Sequence, residues 1–360
     1  MLWLPAKLYE LLVRLRIVAY ETAYLKTQKL DAFVISVGNI TLGGTGKTPF
    51  VNYIARYLTR EDRAVAILTR GYGRQSKDRR VLNDSRQQME NLSTSSQQQT
   101  QIKNVESYTE VGDEPLMLAR AMPDVPVIID KNRYEAGIWA KQIFDSDVLI
   151  LDDGYQHLQV ARDLNILLLD ATNPFGEFEM VPFGELREPL YALKRADVVI
   201  ITRADRPFDQ GQTLAIIKQV CGDEIPILYF YSTINRFRHL ETNEIYEADA
   251  FVGWNIAVMC GIGNPQAFSD DLMAGGLNVV AENFFADHHA YTQKDLQTVI
   301  AAARAAGADG IFTTEKDAVR LEGLQFDRTM PIYAAQLELQ GDDEVRLKSL
   351  LLRALIQKRA

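Results

Sequence analysis

Cysteine is almost missing from this chain: among 360 residues there are two, Cys221 and Cys260. They are too few and too isolated for a disulfide framework or a zinc site, which fits a reducing, cytosolic compartment. A surplus of positive charge is also lacking. Thirty-nine basic residues stand against 48 acidic ones, a net charge of −9, whereas a protein built on nucleic-acid phosphates shows a basic excess, so no nucleic-acid partner is expected. Internal repeats are absent, and an apolar share of 47% with 24% charged residues excludes a disordered or fibrous chain. Finally, no run of ~20 uncharged apolar residues is present, the length a spanning helix needs. The nearest candidate, residues 2–20, is broken by Lys7, Glu10, Arg14 and Arg16. No small-residue cleavage site follows it, which argues against a signal peptide.

What that N-terminal segment does have is periodicity. Leu4, Leu8, Leu11, Leu12, Leu15 and Val18 recur at three- and four-residue spacing, one apolar stripe on a helix. Through residue 30, five basic residues face two acidic ones, a basic patch in an acidic protein. Two readings fit: a helix lying in an anionic membrane interface with Trp3 and the leucines immersed, or a terminal helix packed on the protein's own core.

From residue 33 short β-branched runs alternate with amphipathic stretches, the pattern of a doubly wound, mostly parallel α/β sheet. Strands are expected at Phe33–Val37, Ala64–Thr69, Val125–Ile129, Val148–Asp152, Ile166–Asp170 and Val198–Thr202. Helices are expected at Pro49–Leu58, Glu114–Ala121, Arg133–Phe144 and Phe208–Val220. Residues 83–104 are Gln/Ser-rich and hold too little apolar surface to offset ordering entropy, so they read as a mobile surface insertion without a catalytic role. After Pro226, Ile227–Leu240 and Ile245–Ala250 look like two strands around a polar turn, followed by a second βα series and a closing helix near Glu344–Lys358. The expected organisation is an interface helix at 1–30, a phosphate-loop core at 31–225, a two-stranded linker at 226–250 and a smaller α/β domain at 251–360. Clefts between such domains are common ligand sites.

The strongest chemical signal is Thr41-Leu42-Gly43-Gly44-Thr45-Gly46-Lys47-Thr48, between a predicted strand and a predicted helix as a phosphate loop requires. The glycines let successive N–H groups point at an anion, Lys47 reaches the β/γ phosphates, and Thr48 can ligate Mg²⁺. The helix N-terminus adds partial positive charge. One departure is Thr41, where the general motif has its first glycine. Val148-Leu-Ile-Leu-Asp152-Asp153 ends an apolar strand in paired carboxylates, placed as metal-site carboxylates are in phosphate-loop enzymes. Two adjacent carboxylates repel unless a cation is near. Gly112-Asp113-Glu114-Pro115 reads in isolation as a helix cap. Asp287-His288-His289 holds two of only four histidines; lacking a third ligand at recognisable spacing, it suits a carboxylate-oriented general base better than a metal site. Arg70, Arg133 and Arg187 are candidate phosphate contacts.

Taken together, GGTGKTP, TRGYG, VGDEP, LDDGYQH, LREPL, FFADHHAY and TTEKDAVRL, in this order, resemble the tetraacyldisaccharide 4'-kinase family, the lipid A 4'-kinases of Gram-negative bacteria. The resemblance runs from the N-terminal helix to about residue 335 and includes Thr in place of the loop's first glycine; the stretch at 83–104 is longer than the family pattern. It implies ATP-dependent phosphorylation of the 4'-hydroxyl of a tetraacylated glucosamine disaccharide 1-phosphate to give lipid IVA. It also implies monotopic association with the cytoplasmic face of the inner membrane, favouring the interfacial reading of residues 2–20, with no obligate protein partner.

By the same resemblance Asp113 and His288 form the carboxylate–imidazole pair that accepts the 4'-hydroxyl proton. Glu114 and Asp153 join Thr48 and Asp152 at the Mg²⁺ site, and Arg133, His157, Arg187 and Glu188 contact phosphate or substrate. With Lys47 in the first domain and His288 in the second, closure of the domains is expected to assemble the site. The alternative is a soluble phosphate-loop NTPase switch without a lipid acceptor, with Thr202-Arg-Ala-Asp205 as a degenerate guanine-reading motif.

Overall fold

The structure, a computed structural model, describes residues 3–72, 74, 77–83 and 108–359. The expected insertion at 83–104 lies outside these except for Asn83, whose amide donates to the carbonyls of Ala119, Met122 and Val125. The chain forms two compact units, residues 1–231 with 339–360, and residues 232–338.

In the first unit, β1 (Phe33–Gly38), β2 (Val65–Thr69), β3 (Arg80–Leu82), β4 (Val127–Ile129), β5 (Val148–Asp152), β6 (Leu164–Asp170), β7 (Val198–Thr202) and β8 (Ile227–Tyr229) make one sheet. Its order is β3-β4-β2-β5-β1-β6-β7-β8. Every pairing is parallel except β3 with β4. All residues of β1, β2, β5, β6 and β7 are buried, the reason their sequences read as unbroken apolar runs. Helix Lys47–Arg60 covers the sheet with Phe50, Val51, Ile54, Ala55 and Leu58, one face at helical spacing. Helix Arg133–Phe144 starts where the Asn132 carboxamide accepts the Tyr134 and Glu135 N–H groups. In register, Val37 lies beside Asp152 and Asp170 beside Thr202, while Val37 also pairs with Ile166, so β1 ends beside β5, and β6 and β7 run on further in the same direction. A crevice beyond the carboxyl ends of such strands is where open α/β sheets bind ligands.

The second unit holds β9 (Tyr231–His239), β10 (Ile245–Glu247), β11 (Asn255–Cys260), β12 (Asn278–Phe284), β13 (Gly310–Thr314) and β14 (Ile332–Gln340), in the order β10-β9-β14-β13-β11-β12. Phe237, Phe251, Phe312 and Tyr333 pack edge-on or tilted at its core.

Three features differ from the expectations. Ile227–Leu240 is not one strand: Phe230 is fully buried and packs edge-on to Phe50 at 5.4 Å, which breaks the run into β8 of the first sheet and β9 of the second. The expected linker and final domain therefore do not match the units. The β9–β10 ribbon is part of the second sheet, and helix Glu344–Arg359 belongs to the first unit. Its Leu347, Leu351 and Leu355 are buried, Tyr53 donates to Glu344 at 3.0 Å, and Lys358 donates to Asp163 at 2.6 Å. The edge strand β3 had no counterpart in the expected elements.

The N-terminal helix runs Trp3–Glu21. A narrow face packs on the first unit: Ala6 and Ile17 are buried, with Tyr9, Val13 and Tyr20 against the same core. Leu4, Leu8, Leu11, Leu12, Leu15 and Val18 stay exposed, as does Trp3. Among the described residues no helix is long and apolar enough to cross a membrane.

Candidate active site

The glycine turn leaves β1 and enters helix Lys47–Arg60. Gly43 (φ 97°) and Gly46 (φ 76°) adopt left-handed backbone, a conformation that side chains with a Cβ resist, so glycine at these positions permits the curl. The turn is braced on its outer side. Leu42 N–H donates to the Glu185 carbonyl and Arg187 N–H to the Ile40 carbonyl, both at 2.7 Å, and Thr41, nearly fully buried, bridges Leu186. Inside, the Thr202 hydroxyl donates to the Thr45 carbonyl at 3.2 Å, and Arg203 reaches the Gly44 carbonyl at 3.3 Å while pairing with Asp170. Thr202 and Arg203 thus brace the turn.

Two cations converge on one carboxylate. Arg187 forms a bidentate pair with Asp153, at 2.8 and 3.0 Å, and Lys47 lies 3.8 Å from it. Both also donate to the Asn39 Oδ1, Lys47 at 3.2 Å and Arg187 at 3.3 Å. Asn39 is fully buried and donates its own amide to the Thr41 carbonyl at 2.8 Å. One side chain therefore ties both cations to the turn. Burial opposes ionisation of Asp153, but Lys47 and Arg187 outweigh it and hold the carboxyl below its ordinary range.

Asp152 differs from its neighbour. It is buried, and its carboxylate accepts a hydrogen bond from the Thr69 hydroxyl at 2.9 Å. Burial, then the charges of Glu114 and Asp153, push it up to about 7. Arg133 is also buried, its Nε has no partner among the described residues, and desolvation lowers it to about 10 against the pull of Asp152 and Asp153.

Asp113 and Glu114 occupy the first turn of helix Asp113–Ala121. The residue preceding that turn is Gly112, which offers no side-chain cap, so the cap reading is corrected. The buried Asp113 carboxylate accepts the Glu114 N–H at 2.9 Å. His157, after β5, is forced neutral: burial first, then Arg133, Arg162 and Arg16, lower it to about 3. Its Nε2 is buried without a hydrogen bond among the described residues. Glu188 is buried too, but it is taken up by Arg195 and by Gln156 at 3.3 Å. Thr48 is half-buried at the helix start and Arg70 is exposed after β2. Among the described residues no group of three or more His, Cys, Asp or Glu is arranged to hold a metal unaided.

In the second unit, His288 sits at positive φ (60°), with its N–H donating to Asp287 at 2.9 Å. Its ring faces Lys316 at Nε2 (3.3 Å) and Arg320 at Nδ1 (3.2 Å). His289 does different work: it stacks on Phe285 at 4.7 Å and meets Asp295 at 3.2 Å, the acidic half of the capping box with Thr292. Asp317 and Arg320 are buried side by side. Sequence reasoning assigned no role to Asn39, Asp317 or Arg320. The signals were there in VGN after the first strand and DAVR in TTEKDAVRL, but each reads alone as a turn or a solvated helix face.

Residues 1–356 match the family model for Tetraacyldisaccharide-1-P 4'-kinase. The tetraacyldisaccharide 4'-kinase of Geobacter sulfurreducens is 39% identical over 353 residues, 98% of this chain and 92% of that protein. That of Pelobacter propionicus is 38% identical, over 98% of this chain and 91% of its own length. Among solved structures, the crystal structure of "apo" form LpxK from Aquifex aeolicus in complex with ATP superposes with a TM-score of 0.73 at 30% identity, covering 98% of each chain.

Proposed function

This chain belongs to the Tetraacyldisaccharide-1-P 4'-kinase family, and on that premise we propose how its residues perform the reaction. The activity is ATP-dependent phosphorylation of the 4'-hydroxyl of a tetraacylated glucosamine disaccharide 1-phosphate, the step of lipid A biosynthesis that yields lipid IVA. The single observation that carries the residue assignment is the convergence of Lys47 and Arg187 at the inner edge of the glycine turn. Phosphoryl transfer is mostly positioning and charge stabilisation. A triphosphate seated on the turn's N–H groups meets both cations, which exchange Asp153 for phosphate oxygens.

The carboxylates fit a divalent cation. Mg²⁺ is commonly held by one or two carboxylates together with substrate phosphates, and the buried Asp152, next to Asp153 and within the electrostatic reach of Glu114, offers oxygen donors of that kind. Thr48, Asp152, Asp153 and Glu114 are the residues that would hold it, and it would neutralise charge on the transferring phosphates. Arg133, buried and facing the same carboxylates, binds phosphate. His157, a neutral ring with an unpartnered Nε2 among the described residues, would contact the substrate. Asp113 and His288 manage the proton of the 4'-hydroxyl: that oxygen bonds to the γ-phosphorus, the bond to the β–γ bridging oxygen breaks, and ADP departs.

The acyl chains of the substrate stay in the leaflet, so the enzyme must work at its surface. The exposed Leu4, Leu8, Leu11, Leu12, Leu15 and Val18 with Trp3 form an apolar face on a helix whose other side is packed, as an interfacial helix requires. The reading is peripheral, monotopic attachment to the cytoplasmic leaflet of the inner membrane. The deciding experiment incubates the protein with ATP, Mg²⁺ and the disaccharide monophosphate lipid in detergent, reading lipid mass. A gain of one phosphate on the lipid is expected; ADP release without it would return the reading to a hydrolytic switch.

A further inference from the structure

The ring of His288 touches two cationic donors, and a neutral imidazole accepts at only one nitrogen. Arg320 meets Nδ1 at 3.2 Å and Lys316 meets Nε2 at 3.3 Å, so only one of these contacts is a hydrogen bond to a lone pair. Their settings decide which. Arg320 is buried, and its NH1 donates to the Gly261 carbonyl at 2.9 Å and to Asp317 at 3.1 Å. Asp317 is itself fully buried and accepts from Gly261 N–H, the Tyr291 hydroxyl and the Thr314 hydroxyl. The guanidinium is always protonated and carries no acceptor. Lys316, by contrast, is on a flexible stem and already has Asp287 at 3.1 Å. Arg320, held by Gly261 and Asp317, fixes the ring, while the Lys316 ammonium has the Asp287 carboxylate as its acceptor.

We propose that the buried Asp317–Arg320 pair is a positioning device that holds His288 in the tautomer with Nδ1 bare and Nε2 protonated, so that the imidazole presents an N–H to an anionic oxygen instead of a basic lone pair. This rests on the kinase reading and deepens it. The proton of the 4'-hydroxyl goes to a carboxylate, Asp113 in that reading. His288 donates from Nε2 to charge on the reacting oxygens, as donors aimed at developing charge do. The partner of one ring nitrogen setting the role of the other is general histidine behaviour.

Nitrogen-15 spectra of the full-length protein labelled at histidine test this directly, since only four histidines are present and His288→Gln identifies its resonance. Nδ1 unprotonated with Nε2–H is expected; a dominant Nδ1–H form overturns the proposal. Arg320→Lys is expected to mix the tautomers and lower kcat about ten-fold or more, with KM for ATP within about two-fold; an unchanged tautomer overturns it. Gln places an amide N–H near the position of Nε2, so His288→Gln should keep turnover within about ten-fold of the parent while His288→Ala loses about a hundred-fold. Equal loss in both would restore the base role and overturn the donor role. Full turnover in His288→Ala would instead remove His288 from the kinase site, an outcome the spectra distinguish because they need no activity.

Discussion

Asn39 accepts from Lys47 and Arg187 and donates to the Thr41 carbonyl, so its loss should loosen both cations together. Asn39→Ala is expected to lower kcat about ten-fold, near the weight of one hydrogen bond to charged partners, without unfolding the protein; an unchanged steady-state rate would show that the joint is dispensable. Lys47→Ala should cost at least about a hundred-fold in turnover, measured as lipid phosphate formed, because Arg187 beside it is already engaged with Asp153 and Asn39 and one cation must then do the work of two. The carboxyl of Asp152 makes a separate prediction about pH. Its folded value is raised to about 7 from 3.8, so between those values the folded state binds the proton more tightly than the unfolded state. Stability of the nucleotide-free protein therefore falls as pH rises through that window. Asp152→Asn should lack that component of the slope, seen by comparing denaturation midpoints at about pH 5 and about pH 8.

At the level of elements, the N-terminal helix uses one face for its own unit and leaves another exposed. Changing Leu8 and Leu12 together to Glu should reduce binding to anionic liposomes at least about ten-fold, given about 1.5–3 kcal/mol for each leucine fully buried. Circular dichroism and ATP binding should not change, because neither side chain is buried in the protein. Liposome binding equal to the parent would sink the docking role. This helix also shows where sequence is informative and where it stops. Periodicity located the leucine stripe, but packing of Ala6, Tyr9, Val13 and Ile17 on a different face needed the folded partner surface. The buried parallel strands were legible because burial on two faces leaves continuous apolar runs. The break at Phe230 was not, because an apolar residue inside a run looks like more strand until the rings of Phe50 and Tyr53 are known to face it. The glycine turn and the strand-end carboxylates are local sequence patterns, and the structure brings them side by side through Lys47 and Asp153. Asn39, Asp317 and Arg320 act in part through partners distant in sequence, Arg187 for the first and Gly261, Tyr291 and His288 for the other two, which no local pattern reports.

Across the whole molecule, the chain leaves the first unit after Tyr231 and re-enters it at Leu339, so the unit carrying His288 is inserted within the unit carrying Lys47. Nucleotide binding and the chemistry assigned to His288 should then separate: His288→Ala is expected to keep the ATP dissociation constant within about two-fold while turnover falls about a hundred-fold. Weakened ATP binding of the same size as the turnover loss would contradict that division. Tyr9 donates to the Arg187 carbonyl at 3.1 Å and Arg16 to the Gln156 carbonyl at 3.0 Å, which makes the N-terminal helix a strut bolted to the loops that carry Arg187 and His157. In the interfacial pose proposed above, it would act as a spirit level, setting the tilt and height of the phosphate-transfer cradle above the leaflet. Replacing it by a fatty-acyl tether would restore residence on vesicles and leave catalysis on embedded substrate crippled.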